Sequence, residues 1–222
     1  MCPLHDTHTL TLPLKPPYYT GEAFEDPAIV EQVLDNLSLL HSLRVRVVLV
    51  LGCFPQLQQR LAARGVSSSF HGEYRITCPA SLVASMEAAG VVRALAEARL
   101  SKGPSVAMVR RHQRTMQAFH FRPVASVSSG NFVVAKRRGV VDGVDFGQTG
   151  EVRLVAADDI QALLERDHIV LVSNLGASAG GHVLNCNIYE VATATATALQ
   201  ADKIIFHTLN DIEQLELPKW LR

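Results

Sequence analysis

The sequence has 222 residues and a mass of 24.2 kDa, with 48% hydrophobic, 19% charged and 6% aromatic residues. A chain of this size buries a full core as one domain, which excludes a small disulfide-dependent scaffold. Lysine plus arginine (21) equals aspartate plus glutamate (21), so no net field gathers phosphates, and bulk nucleic-acid binding is not expected.

In chain order, the opening MCPLHDTHTL carries an acidic residue, two histidines and no arginine, which fits neither a secretory signal nor an organellar transit peptide. Thr9 to Leu12 alternates like a strand, but Pro13, Pro16 and Pro17 remove ladder donors and confine it to a sheet edge or to no strand at all. In DPAIVEQVLDNLSLLHSL, Asp26 stands as an N-cap and Pro27 at the first helical position. Apolar residues at Ile29, Val33, Leu34, Leu37 and Leu40 make this an amphipathic helix packed on a sheet. VRVVLVLG, Val45 to Gly52, is β-branched and apolar on both alternating sets, as a central parallel strand covered on both faces requires. It is also the longest apolar run and falls far short of the ~20 residues that cross a bilayer, so a soluble protein with no membrane partner is expected. Pro55 to Arg64 reads as a short helix stopped by Gly65, and Pro79 to Leu100 as a longer helix opened by Thr77.

Ser101 to Pro123 is irregular, with Gly103, Pro104 and a basic cluster. The following SVSSGNFVVAKRRGVVDGVDFGQTGEVRLV is rich in β formers and turn glycines and predicts short, partly antiparallel strands. Asp158 or Asp159 caps a helix over IQALLERD, His168 to Leu175 repeats the apolar strand pattern, Tyr189 to Leu199 is helical, and Lys203 to Phe206 is a last strand. Alternating strands and helices with short connectors predict an α/β fold with an open sheet, which reads as unfinished at both ends.

Several motifs carry possible chemistry. GASAG, Gly176 to Gly180, matches the G-x-S-x-G nucleophile elbow after a predicted strand, with Asp202 and His207 later in hydrolase order. However, Gly180, Gly181 and His182 follow where a helix should begin, so small residues in a loop are the better account. Gly52 closes a strand just before a helix N-terminus, a place that suits an anion, although Cys53 and Phe54 carry side chains that crowd a phosphate. Two basic clusters, Arg110 to Arg114 and Lys136 to Arg138, have few aromatic neighbours for base stacking and read as solvated loop and strand ends. The four cysteines (Cys2, Cys53, Cys78, Cys186) and nine histidines show no metal-ligand spacing, so neither a disulfide nor a metal site is expected. Arg75 in HGEYRIT could pair with a carboxylate, and Asn185 and Asn187 in VLNCN could cap the following helix or hydrogen-bond a small polar ligand, capping being the favoured role of Asn187.

Taken together, LLHSLRVRVVLVLGCFPQL, FHGEYRIT, MEAAGVVRALAEARLS, SSGNFVVAKRRGVVDGVDFGQTGEV and IVLVSNLGASAGGHVLNCNIYEVATATATALQADKIIF resemble, in this order, the amino-acid-kinase domain of plant-type N-acetylglutamate synthases. The resemblance runs from about Asp26 to Phe206. It implies a three-layer αβα amino-acid-kinase-like fold with a mainly parallel sheet. Residues 1–25 then form an irregular N-terminal segment, 26–210 the domain and 211–222 a tail, with no acetyltransferase domain in this chain. It further implies arginine biosynthesis, a plastid location (the cytoplasm being the alternative), and a homo-oligomer or association with full-length synthase or kinase subunits.

The family reaction transfers acetyl from acetyl-CoA to the amine of glutamate. Here acetyl-CoA belongs to the full-length family, no cofactor is expected in this chain, and the chain alone is expected to be inactive and to play a regulatory or oligomerising role. By the same resemblance, Arg75, Asn185 and Asn187 correspond to the acyl-amino-acid side of a substrate cleft and Gly52 to what remains of a glycine-rich second loop, all four as vestigial substrate-binding candidates. The kinase groups lack counterparts: only Gly21-Glu22 stands where a phosphate lysine and paired glycines belong, and Tyr189 stands where an acidic residue belongs. An acetylglutamate-kinase-like ATP-dependent enzyme and a ring-assembly module are the alternatives.

Overall fold

The computed structural model describes residues 7–12, 27–103, 106–112, 115–121 and 125–206. Cys2, Pro13, Pro16, Pro17, Gly21-Glu22, the expected Asp26 cap, Pro104, Gln113, Arg114, His207 and both expected domain boundaries lie outside these residues.

The chain runs β1 (Thr7–Leu12), α1 (Pro27–Ser42), β2 (Arg46–Leu51), α2 (Phe54–Ala63), β3 (Ser69–His71), β4 (Tyr74–Ile76) and α3 (Pro79–Leu100). It continues through β5 (Val106–His112), β6 (Thr115–Phe121), β7 (Ser126–Ser129), β8 (Val133–Arg137), β9 (Val140–Val141), β10 (Val144–Asp145), β11 (Thr149–Val155) and α4 (Ala157–Glu165). The last elements are β12 (His168–Ser173), β13 (Leu175–Ala177), β14 (Val183–Cys186), α5 (Ile188–Leu199) and β15 (Lys203–Phe206).

Five strands form the central sheet in the order β15-β1-β2-β12-β7, every pair parallel. The pattern of β2 explains the three layers. Val47, Leu49 and Leu51 pack with Leu37, Ala88, Leu100 and Leu171 beneath α1 and α3, whereas Val48 and Val50 pack with Ile160, Leu164, Val170 and Val191 beneath α4 and α5. A strand buried on both faces has no polar alternation, as its sequence shows. The expected α/β architecture, three layers around a mainly parallel sheet, is therefore the observed one.

Four local expectations need correction. The strand over Thr9 to Leu12 is not at an edge: β1 lies inside the sheet, paired in parallel with β2 on one side and β15 on the other, since it ends at Leu12, ahead of the first of the three prolines. Thr77 does not open α3: Cys78 is the N-cap, its Sγ accepting from Ser81 N at 3.4 Å, because the Thr77 hydroxyl is drawn into a buried network described below. Neither Asp158 nor Asp159 caps α4. The N-cap is Ala156, whose N–H donates to Phe132 O at 2.9 Å, and both aspartates fall in the first turn, where their charge complements the helix dipole. Finally, the stretch expected to be irregular holds β5 and β6, an antiparallel hairpin with seven paired positions.

The short strands β8, β11, β13 and β14 close into a small barrel against the sheet. Its closure depends on missing side chains: a Cβ on Gly150 would stand 2.8 Å from Cys186 Sγ, and one on Gly176 2.8 Å from Ala135 Cβ.

Candidate functional site

At the carboxyl ends of β2 and β12, where open α/β sheets hold ligands, lies a cavity of about 90 Å3. Gly52, Cys53 and Phe54 form one wall, Asn174, Asn185 and Cys186 the floor, and Asn187, Ile188 and Tyr189 the start of α5. The β3–β4 hairpin lies over it and contributes Phe70, Glu73, Tyr74 and Arg75. Topology thus brings all four predicted residues, Gly52, Arg75, Asn185 and Asn187, to one place.

Arg75 is the unusual member. It is 7% exposed, and its guanidinium packs against two neighbouring aromatic rings, 4.5 Å from the centre of Phe70 and 5.2 Å from that of Phe54, the ring centres themselves 6.1 Å apart. Nη1 donates to Ser68 Oγ and, at 3.5 Å, to Gln58 Oε1. Nη2 is buried and has no hydrogen-bond partner among the described residues. No carboxylate among the described residues pairs with this cation, and burial pulls its pKa down to about 10. A desolvated guanidinium is ordinarily compensated by an anion. The neighbouring N-terminus of α2 has no side-chain cap, and its dipole favours negative charge in the same cavity.

A buried polar network fixes the walls. Asn174 Nδ2 donates to Asn185 Oδ1 at 2.8 Å, Ser85 Oγ donates to the same oxygen at 3.2 Å, and Asn185 Nδ2 donates to Thr77 Oγ1 at 3.1 Å. Thr149 Oγ1 lies within hydrogen-bond reach of Arg75 O, Phe146 O (2.8 Å) and Thr77 Oγ1 (3.1 Å). Cys53 Sγ donates to Asn174 Oδ1 at 3.4 Å, and burial pushes that thiol up to about 11. The Asn185 oxygen is therefore fully engaged by the scaffold, leaving its amide nitrogen as the group with a hydrogen to spare. Asn187 caps α5: its Oδ1 accepts from Tyr189 N at 2.8 Å, and its Nδ2 donates to Glu73 O at 3.0 Å. Gly147 permits the close approach behind the network. It sits at φ +60°, and a Cβ there would be 2.6 Å from Thr77 O.

The other motifs do not join this site. Ser178 lies in a tight turn, its N–H donating to His182 O at 2.8 Å and its Oγ accepting from His182 N at 3.1 Å; no helix begins there, so an elbow is excluded. Lys136 and Arg138 both pair with Glu151, at 2.9 and 2.8 Å, within the β8–β11 ladder. Among the described residues no group of three His, Cys, Asp or Glu side chains can hold a metal ion, and no helix is long and apolar enough to cross a membrane. A wider hollow of about 490 Å3 between α3 and the ends of β7 and β12 contains none of the buried polar atoms that lack partners. The Arg75 cavity does.

Sequence reasoning missed Phe54, Phe70, Thr77, Thr149 and Asn174. Each is ordinary in its local sequence and becomes part of the site only through long-range pairing.

A three-layer α/β domain with a mainly parallel sheet and a cleft at the sheet's carboxyl edge is the architecture of an amino-acid-kinase-like protein. The amino acid kinase family model matches residues 19–212, and the chain belongs to that family. Its relatives include amino-acid acetyltransferases of Ectopseudomonas mendocina (41% identical over 191 residues, 86% of this chain and 41% of that protein) and Ralstonia nicotianae (41% identical, 79% of this chain and 37% of that protein). Among solved structures, N-acetylglutamate synthase from Neisseria gonorrhoeae complexed with coenzyme A and L-arginine is similar at a TM-score of 0.78 and 27% identity, over 93% of this chain and 44% of that one. Giardia carbamate kinase shares the fold, at a TM-score of 0.55 and 12% identity. The chain thus spans about two-fifths of the acetyltransferases' length.

Proposed function

We propose that this chain is the amino-acid-kinase-like domain of a plant-type N-acetylglutamate synthase serving arginine biosynthesis, and that its own role is to bind a small carboxylate of the amino-acid type at Arg75 and to regulate or assemble the enzyme. The observation that carries this reading is the buried Arg75 guanidinium, whose Nη2 has neither a hydrogen-bond partner nor a counter-ion among the described residues. Gly52, Asn185 and Asn187 would complete the pocket, Gly52 by letting the ligand approach the backbone.

Acetyl transfer is assigned elsewhere in the family's longer proteins. Among the described residues lining the cavity there is one glycine and no lysine to hold the phosphates of coenzyme A. The same deficit speaks against the kinase alternative, since phosphoryl transfer rests on cations and positioned groups around the phosphates. A plastid is the compartment this assignment carries.

Calorimetry on the purified chain tests the reading. N-acetyl-L-glutamate or L-glutamate should bind, binding should vanish in Arg75→Met, ATP should not bind, and acetyl-CoA with glutamate should give no turnover. ATP-dependent phosphorylation of N-acetylglutamate would establish the kinase alternative instead, robust acetyl transfer would overturn the non-catalytic role, and failure of both carboxylates would remove the cavity's function. Light scattering at micromolar concentration tests assembly, and a stable monomer would overturn an oligomerising role.

A further inference from the structure

The start of α5 carries an unusual pattern. Asn187-Ile188-Tyr189-Glu190 has the N-cap and N3 spacing of a capping box, in which the N3 carboxylate folds back onto the N-cap N–H. Here Glu190 is turned away to other groups. Oε1 accepts from Val152 N at 2.8 Å, where the β8–β11 register shifts between Val152 and Leu154. Oε2 accepts from the Tyr74 hydroxyl at 3.4 Å.

The hairpin that Glu190 reaches is weakly held by its own ladder. β3 and β4 share three residue pairs, and all of β3 is exposed; a ladder this short does not hold itself in water. Its position comes from ties to other elements. Asn187 Nδ2 holds Glu73 O, Glu190 holds Tyr74, and the Arg138 guanidinium stacks 3.7 Å from the Tyr74 ring centre while its own charge is taken by Glu151. Phe146 closes the ring of contacts, edge-on to Tyr74 at 6.4 Å. Burial raises the pKa of both Glu190 and Tyr74, as expected where the two are drawn out of water together.

We infer that Asn187 and Glu190 are positioning residues: from one helical turn they latch Glu73 and Tyr74 and thereby set the adjacent Arg75 over the cavity. Asn187 then acts through the hairpin backbone and not as a ligand donor, since its oxygen caps α5 and its nitrogen holds Glu73 O. The inference rests on the carboxylate-binding reading for its effect on affinity, but its effect on the hairpin stands without any ligand.

The test uses the full chain and four variants. Asn187→Ser keeps a capping hydroxyl but cannot reach Glu73. Glu190→Ala removes both of its bonds, Glu190→Gln keeps the shape and polar reach, and Tyr74→Phe removes only the hydroxyl, which guards against a variant that fails to fold. Hydrogen exchange of the 69–76 amides and calorimetry with N-acetyl-L-glutamate are read together. Asn187→Ser and Glu190→Ala should speed hairpin exchange and weaken binding at least tenfold, Tyr74→Phe should do so less, and Glu190→Gln should restore both to near wild type. Unchanged exchange in Asn187→Ser and Glu190→Ala overturns the latch, as does a Glu190→Gln variant that behaves like Glu190→Ala. If exchange responds as expected while wild type binds no carboxylate, the latch is upheld and the ligand reading fails.

Discussion

Phe70 and Arg75 face each other across the β3–β4 ladder, with the guanidinium 4.5 Å from the ring centre, so an aromatic face occupies a position where a buried arginine usually finds a carboxylate. Such contacts are worth about 2 kcal/mol or somewhat more when desolvated, too little to offset removal of a full charge from water, which costs several kcal/mol. The domain therefore carries an uncompensated cost at the candidate site. Arg75→Met should leave the ligand-free stability unchanged or raise it by about 1–2 kcal/mol, a shift of a few degrees in Tm, while abolishing carboxylate binding. A fall of more than about 5 °C would mean that the guanidinium is structurally compensated after all.

Glu190 gives a pH dependence of defined sign. Its pKa is raised, first by burial and then by Glu151, against the lowering effect of the Val152 N–H bond. Between the unfolded and folded values the folded state holds the extra proton, so this group's contribution is complete below the ordinary carboxylate pKa and is lost as pH rises through the folded value. Glu190→Gln should match wild type in acid and become relatively more stable towards neutrality. Urea midpoints measured from pH 4 to 8 check this, and a gap that widens on acidification would contradict it.

The three thiols with described surroundings differ sharply. Burial pushes Cys53 up to about 11 and Cys186 up to about 12, whereas exposed Cys78 is lowered by its bonds to Ser81. Because the thiolate is the nucleophile, a maleimide at pH 7.5 should label Cys78 at least tenfold faster than the other two, which should react only on unfolding. Peptide mapping in a Cys2→Ser background reads each site separately.

Gly65 and Gly147 share nearly the same φ, +64° and +60°, but only Gly147 faces an obstacle, with Thr77 O 2.6 Å from a would-be Cβ. Gly65→Ala should therefore cost about 1 kcal/mol from backbone strain alone. Gly147→Ala should cost at least about 2–3 kcal/mol, because Thr77 and the network it anchors must move. Equal urea midpoints for the two variants would show that Thr77 is not rigidly held.

Long elements were legible because each carries its own period. The two-sided apolar run of β2, the Gly65 stop of α2 and the Asn187 cap of α5 are local signals, and the structure contains all three. The caps of α3 and α4 were misread because tertiary demands on Thr77 and on Ala156 outrank capping preference. The β3–β4 hairpin left no signal, since three-residue strands show no alternation. The site was half legible: Arg75 and the two asparagines are polar residues beside predicted helix starts, but the Phe54–Phe70 pair against which Arg75 packs exists only after α2 and β3 meet. Glu190 could have been found, because an Asn with a Glu three residues later is a recognisable pattern; only coordinates reveal that the carboxylate turns elsewhere.

The order of the central sheet has a consequence for how the protein is made. β1 lies between β2 and β15, pairing Thr9 with Val48 on one side and with Ile204 on the other. During synthesis the first strand can dock on the second early, but its outer edge stays open until nearly two hundred further residues have left the ribosome. Until residues 203–206 emerge, the nascent chain presents an unpaired hydrogen-bonding edge at β1, and the central sheet cannot be completed before they arrive.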